Sequence, residues 1–590
     1  MGQSAEKTQL PYGLWPSPIT AQGMAGGTRL GDVAWDSDGR TLVWSEGRGD
    51  QGVLVAQTGD DAPRDLTIGR SVRARVGYGG GDFGVAGGHV YFADAESGRL
   101  YRQPLAAGQA RPITPGFGHA ASPAVSPDGR WVLYVHSYER VDRLAIVDAA
   151  GAAWPRHIVG GADFYMQPRW HPDGTMIAWV QWNHPQMPWD GTELHVGTVR
   201  PPDDAGGLPT ITDIRRIAGG PETAIFQPEF SPDGRSLAYI SDQNGWENLY
   251  LHDLADGTSR ALTDDTADVG QPAWSQGMRA YSFAEDGRAL FYLRNEGGTR
   301  RPCRFDLAAD EPAPLPTLAD YRWIEQPAVA GGGGQLAAVA SSATTPPRIV
   351  TTAVGGGPAR VRARSAAEDV PPGALATPRA LSWAVPGVQT AHGLYYPPTS
   401  ERYTGTGQPP AIVRVHGGPT SMVTSSYNAA AQFFTSRGYA VLEVNHRGST
   451  GYGRAYAQAL RGTWGVVDVE DTAAGARYLA EAGLADGGRL VVMGGSAGGY
   501  TVLQSLVTHP GLFKAALCLY GVSNLFTLAA DTHKFEERYL DSLIGPLPEA
   551  RDRYRERSPI YAADRISDPI AIFQVAIDPV VPRSQSDLIV

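Results

Sequence analysis

The sequence predicts two domains of different class: an all-β seven-bladed propeller, then a doubly wound, mostly parallel α/β sheet. Three observations lead there. A chain of 590 residues exceeds what one hydrophobic core serves. A hairpin pattern recurs through roughly the first 360 residues at the period of propeller blades. Beyond it the pattern changes to short apolar runs separated by helical segments, as in a parallel sheet.

Each hairpin unit is a strand, an Asp-Gly turn and a second strand rich in aromatic and aliphatic residues. Five copies are clear, with turns at Asp38, Asp128, Asp173, Asp233 and Asp286. Asp-Gly suits such a turn because glycine adopts a positive φ without steric cost. Weaker copies around Gly88 and Gly333 bring the number to seven, with spacings of 40 to 60 residues. One hairpin cannot bury its own apolar face. Seven packed about an axis can, and they leave only short edges. His136, His171 and His252 read as structural within these blades. The expected division is a propeller over 1–365, with an N-terminal extension of about 25 residues, a linker over 366–378 and the α/β domain over 379–590.

Composition sets further bounds. Hydrophobic residues at 42% and charged residues at 19% are globular values. The net charge of −11 argues against a nucleic-acid partner. No apolar run approaches a membrane span, and Met1–Leu10 lacks the apolar core of a secretory signal. Two cysteines, Cys303 and Cys518, are too few for a disulfide framework or a Cys-based metal site, so a cytoplasmic protein without metal or cofactor is expected.

In the second domain, Ala411–Val415, Ala440–Val444, Leu490–Met493, Ala515–Leu519 and Ile570–Phe573 read as buried parallel strands. Helical patterns at Val467–Ala482 and Thr501–Val507 separate them. The run Leu490–Met493 ends in Gly494-Gly495-Ser496-Ala497-Gly498, a match to G-x-S-x-G. Strand, tight glycine turn and helix form a nucleophile elbow, which makes Ser496 the candidate nucleophile. Upstream, Ala411–Val415 leads into His416-Gly417-Gly418-Pro419. A backbone N–H from such a loop, here Gly418, and that of Ala497 would form an oxyanion hole.

These motifs, with Asn445-His446-Arg447-Gly448-Ser449-Thr450-Gly451-Tyr452-Gly453 and Trp464-Gly465 followed by Asp468 and Asp471, resemble the prolyl oligopeptidase family of serine peptidases. The similarity is greatest to its acylaminoacyl-peptidase and dipeptidyl-aminopeptidase-like branch. The resemblance implies an α/β-hydrolase fold for the second domain, and cleavage of short peptides by acyl transfer through Ser496, with the propeller restricting access. It implies Asp578, in Asp578-Pro579-Val580-Val581-Pro582, as the triad acid, although Val575 stands where the family usually has glycine. Substrate contacts are expected from His416, Tyr500, Glu536 and Glu537. The paired glutamates by which dipeptidyl peptidases of the family hold a substrate's amino terminus come from the propeller, whereas Glu536-Glu537 lies in the α/β domain.

A serine nucleophile needs a base, and in this fold the histidine follows the acid. No histidine follows Asp578; the last is His533. His416, His446 and His533 each read as structural or substrate-side. The sequence therefore reads as C-terminally truncated, with the last strand and the histidine segment missing, and the 590-residue chain as catalytically crippled. The alternatives are a non-catalytic protein binding peptides or partners, and an esterase on the same scaffold.

Overall fold

The computed structural model describes residues 6–204, 207–332, 334–385, 390–578 and 580–590. Seven four-stranded antiparallel sheets run from Arg29 to Arg364, each built from four consecutive strands. The Asp-Gly turns fall where expected, joining the first two strands of their blades. Gly39, Gly129, Gly174, Gly234 and Gly287 have φ between 63° and 77°. Asp38 shows why aspartate precedes the glycine: Oδ1 accepts the backbone N–H groups of Arg40 (2.7 Å) and Thr41 (2.8 Å). Gly333 lies outside the described residues.

The first and last blades share no strand. The segment Gln276–Ala280 instead ties the ring together from within. Gln276 accepts from Ser122 and donates to the carbonyls of Gly79 and Tyr165. Met278 O accepts from Gln167, Ala280 N donates to Gln227, and Arg279 N donates to Gln326. The Arg279 guanidinium pairs with Asp32 at 2.6 Å. Blades one, three, four, five and seven and the approach to blade two all bond to this one stretch, which itself leads into blade six. Only the common axis neighbours every blade, so the segment lies across it.

The second domain is one seven-stranded sheet. We label its strands β1 (Arg379–Ala384), β2 (Thr390–Tyr396), β3 (Ala411–Val415), β4 (Ala440–Asn445), β5 (Leu490–Gly495), β6 (Ala515–Leu519) and β7 (Ile570–Phe573). Their order is β1-β2-β4-β3-β5-β6-β7, antiparallel at β1–β2 and β2–β4 and parallel elsewhere. The central strands are almost wholly apolar because both faces are covered. Val413, Leu442, Val444 and Val492 pack against Leu503 and Leu506 in a single core. Burying each such side chain contributes about 1.5–3 kcal/mol. Helices α1 (Ala429–Thr435), α2 (Val467–Glu481) and α3 (Ala497–Thr508) supply the covering layers used below.

The N-terminal segment, expected as an extension of the propeller, packs on the α/β domain. Thr8–Gln9 pairs in parallel with Tyr403–Thr404, and Trp15 and Ile19 are buried. Arg437 holds Ile19 O at 2.7 Å. Both cysteines are buried, and burial pushes the Cys518 thiol up to about 11. Among the described residues no helix is long and apolar enough to cross a membrane.

Candidate active site

Ser496 stands between β5 and α3 with φ 55° and ψ −124°, a conformation non-glycine residues rarely adopt. Its N–H donates to Leu519 O (3.0 Å) and its carbonyl accepts from Tyr500 N (3.0 Å), so neighbouring elements hold the strained residue in place. The flanking glycines answer to close approach. A Cβ on Gly494 would lie 2.4 Å from Gly498 O, and one on Gly498 only 2.3 Å from Val415 O. β5 and α3 can cross this tightly only because those side chains are absent. Tyr520, another non-glycine residue at positive φ (39°), follows β6 and faces the same turn.

Asp468 braces the helix behind Ser496. It accepts from Gly465 N (2.7 Å) and from the Thr501 hydroxyl (2.6 Å), while burial pushes its carboxyl up to about 6. Asp471 anchors the loop after β4, receiving Arg447 N at 2.6 Å and the Arg447 guanidinium at 2.7 Å. The motif residues at Trp464–Asp471 are therefore scaffold for the elbow.

Ser496, Ala497, Gly417, Gly418 and Asp578 all line one cavity of about 580 Å³ between the two domains. Asp578 is oriented by its own loop: Oδ1 accepts from Val580 N (2.9 Å) and Val581 N (3.0 Å). A Cβ on Gly417 would sit 3.4 Å from the Ser496 Cβ, so the His-Gly-Gly loop reaches Ser496.

The expected substrate residues separate. His416 borders the cavity, but both ring nitrogens are engaged, Nδ1 with Gly417 O in its own loop and Nε2 with the Ser449 hydroxyl in the loop after β4, each at 2.8 Å. The ring stacks on His446 at 4.7 Å. Burial holds His416 down to about 3 and His446 down to about 4, so both are neutral. Tyr500 is turned into the core, contrary to expectation. Four residues after Ser496, it points behind the elbow, where it packs on Trp464 (4.3 Å) and donates to Arg557 O (2.9 Å). Glu536 lines the cavity. Its neighbour Glu537 does not; it lies on the outer rim, paired with Arg140 of the propeller at 2.5 Å.

Two contributors had no sequence signal: Tyr78 and Trp274, from irregular propeller segments. Both line the cavity. The Tyr78 hydroxyl donates to Glu536, and Trp274 Nε1 donates to Thr420 O in the His-Gly-Gly-Pro loop (2.7 Å). Among the described residues no histidine is hydrogen-bonded to Ser496 or Asp578. His533 packs edge-on against Tyr78 at 4.9 Å.

Comparison with known proteins bears on the family rather than on single site residues. The prolyl oligopeptidase family pattern matches residues 425–590. Dipeptidyl aminopeptidase BIII of Pseudoxanthomonas mexicana is 35% identical over 186 residues, which are 31% of this chain and 27% of that protein. Acylamino-acid-releasing enzyme 1 of Oryza sativa subsp. japonica is 33% identical over 30% of this chain and 24% of its own length. These alignments thus span about a quarter of the curated relatives. The whole chain aligns with the structure of a Mycobacterium tuberculosis puromycin-hydrolyzing peptidase. There the TM-score is 0.91 with 34% identity, covering 99% of this chain and 91% of that one. The family match and a likeness of that extent over both domains place the chain in the prolyl oligopeptidase family of serine peptidases.

Proposed function

We propose that this protein hydrolyses short peptides by acyl transfer through Ser496. The observation that carries the reading is the strained Ser496 on the wall of a cavity shared with Asp578 and the glycines of the His-Gly-Gly loop. Ser496 Oγ would attack the scissile carbonyl. The N–H groups of Ala497 and Gly418 would stabilise the oxyanion, and water would release the acyl group. Tyr78 and Trp274 roof the cavity and Gln276–Ala280 crosses the propeller axis, which supports lateral entry of short chains.

Deprotonation of Ser496 is the step the described residues do not supply. A peptidase lacking one triad member retains only the rate owed to binding and the oxyanion hole, several orders of magnitude below the intact triad. The 590-residue chain is therefore expected to turn over aminoacyl and acylaminoacyl anilides very slowly, and to be labelled slowly at Ser496 by a fluorophosphonate. The test is to add imidazole as an external base. At least tenfold acceleration that Ser496→Ala abolishes supports the peptidase reading. Brisk hydrolysis without imidazole, lost in Ser496→Ala, would show a base within the chain and overturn the slow-turnover expectation. No Ser496-dependent turnover under either condition favours the second reading, a peptide-binding protein without catalysis, which the absence of a bonded base motivates.

A further inference from the structure

The loop His416-Gly417-Gly418-Pro419 is anchored at both ends. Upstream, His416 Nε2 meets the Ser449 hydroxyl at 2.8 Å. Downstream, every polar group of Thr420 is engaged, each by an aromatic side chain from elsewhere in the chain. The Tyr539 hydroxyl accepts from Thr420 N (3.2 Å) and shares a hydrogen bond with the Thr420 hydroxyl (2.5 Å). Trp274 Nε1, from the propeller, donates to Thr420 O (2.7 Å). Thr420 and Tyr539 are both buried, and the Tyr539 ring packs edge-on against Trp189 (5.6 Å) and Trp274 (5.9 Å). Burial holds the Tyr539 phenol well above its ordinary range, so it stays a neutral hydroxyl.

The residues between the two anchors have little to hold them. Gly417 and Gly418 bring no side chain to pack, and Gly418 takes φ 125°, a region open to glycine. A Cβ on Gly418 would lie 2.8 Å from Thr420 N, so the chain folds back tightly on the residue that Tyr539 holds. Among the described residues no backbone carbonyl accepts the Gly418 N–H. That donor is free for a ligand, and its direction follows from the anchors on either side. Direction matters, because an N–H stabilises an oxyanion only when it is aimed at the position the charged oxygen will occupy.

We infer that Tyr539 and Trp274 are positioning residues for the oxyanion hole: by holding Thr420 at all three of its polar groups, they aim the Gly418 N–H at the oxygen that takes up charge. This role rests on the peptidase reading and adds two residues that no sequence motif contains. Tyr539 lies in the α/β domain and Trp274 in the propeller, so the two domains fix the donor jointly. Both side chains also border the cavity, which makes direct contact with the substrate the competing role. Thr420 does not line that cavity. A substrate contact by Tyr539 has no need of the Thr420 hydroxyl, whereas positioning does.

Fluorophosphonate labelling of Ser496 in the full chain, with imidazole present, reads the donor directly. Ser496 Oγ bonds to phosphorus, imidazole takes the hydroxyl proton and fluoride leaves, while negative charge builds on the phosphoryl oxygen. Saturation of the labelling rate separates the limiting rate from the half-saturating probe concentration. Tyr539→Phe, Thr420→Val and Trp274→Phe are each expected to lower the limiting rate about tenfold, less than loss of a whole donor, and to move the half-saturating concentration less than about threefold. Tyr539→Phe combined with Thr420→Val should lose no more than the worse single variant, because the two substitutions remove two ends of one bond. If Tyr539→Phe melts early, Thr420→Val and Trp274→Phe carry the same expectation. Limiting rates equal to those of the unsubstituted chain overturn the inference. So does a loss confined to the half-saturating concentration, which would make Tyr539 and Trp274 substrate contacts, and so do losses that multiply in the double variant. If the unsubstituted chain shows no labelling that Ser496→Ala abolishes, the peptidase reading falls and this role falls with it.

Discussion

Single atoms decide whether the elbow can exist. Gly498 lies in the first turn of α3, and a Cβ there would meet backbone on both sides, Val415 O at 2.3 Å and His416 O at 2.7 Å. Neither neighbour is a flexible side chain that could swing away. β3 carries one of these carbonyls and the His-Gly-Gly loop the other. Gly498→Val is expected to cost about 3 kcal/mol or more by overpacking, and to lower both melting temperature and soluble yield. A melting curve and yield equal to wild type would contradict the tight β5–α3 crossing. By contrast Gly87, at φ 57° with no heavy atom near its would-be Cβ, is held to glycine by backbone conformation alone.

At the scale of elements, two loops at the ends of β3 and β4 are locked to each other through a pair of neutral histidines. His416 satisfies its neighbours as a ring that donates from Nδ1 to Gly417 O and accepts at Nε2 from Ser449; His446 Nδ1 meets Arg447 O at 2.8 Å. Protonating either ring places a charge in a buried site. For His416 that charge also faces the stacked His446, and for His446 the Arg447 guanidinium. The sign follows directly. Both folded values, about 3 and about 4, lie below the unfolded value near 6.5, so their contribution is fully present above pH 6.5 and is lost as pH falls. Each histidine then removes about 1.4 kcal/mol per pH unit below that point, until its folded value is reached. Denaturant midpoints measured from pH 7.5 to 5 should fall, and His446→Asn should make the slope shallower. A slope unchanged by that substitution would assign acid sensitivity elsewhere.

At the scale of the molecule, the propeller closes without a shared strand, and Gln276–Ala280 bonds it across its axis. Arg279 is the strongest of these ties, pairing with Asp32 at 2.6 Å with both side chains largely buried. Removing it leaves Asp32 without its counter-ion, so Arg279→Ala is expected to cost about 3 kcal/mol. Limited proteolysis should show the blades loosening before the α/β domain. Unchanged protease resistance and melting would mean that blade-to-blade packing closes the ring unaided. Trp274, two residues before this stretch, is bonded to Thr420 O beside the His-Gly-Gly loop, so the chain that leads into the segment closing the propeller also shapes the cavity roof.

What the sequence determined by itself is local chemistry. Asp-Gly turns are legible because glycine φ and an aspartate accepting the N–H two residues on act within four residues. The parallel strands are legible because burial on both faces demands unbroken apolar runs. The elbow and the His-Gly-Gly loop are legible because backbone crossings exclude side chains at fixed spacings. Tertiary structure decided whatever depends on partners far along the chain. Glu536 and Glu537 are adjacent and alike in sequence, yet Tyr78, 458 residues before Glu536, holds one at the cavity, and Arg140 holds the other on the rim. Tyr500 follows Ser496 closely enough to suggest a substrate contact, but helical geometry turns it inward onto Trp464. The N-terminal segment carries no mark of its partner, because the strand it joins lies almost 400 residues further along the chain. The cavity exists only where two domains meet, and no local pattern encodes which side chains two separately folded surfaces will bring together.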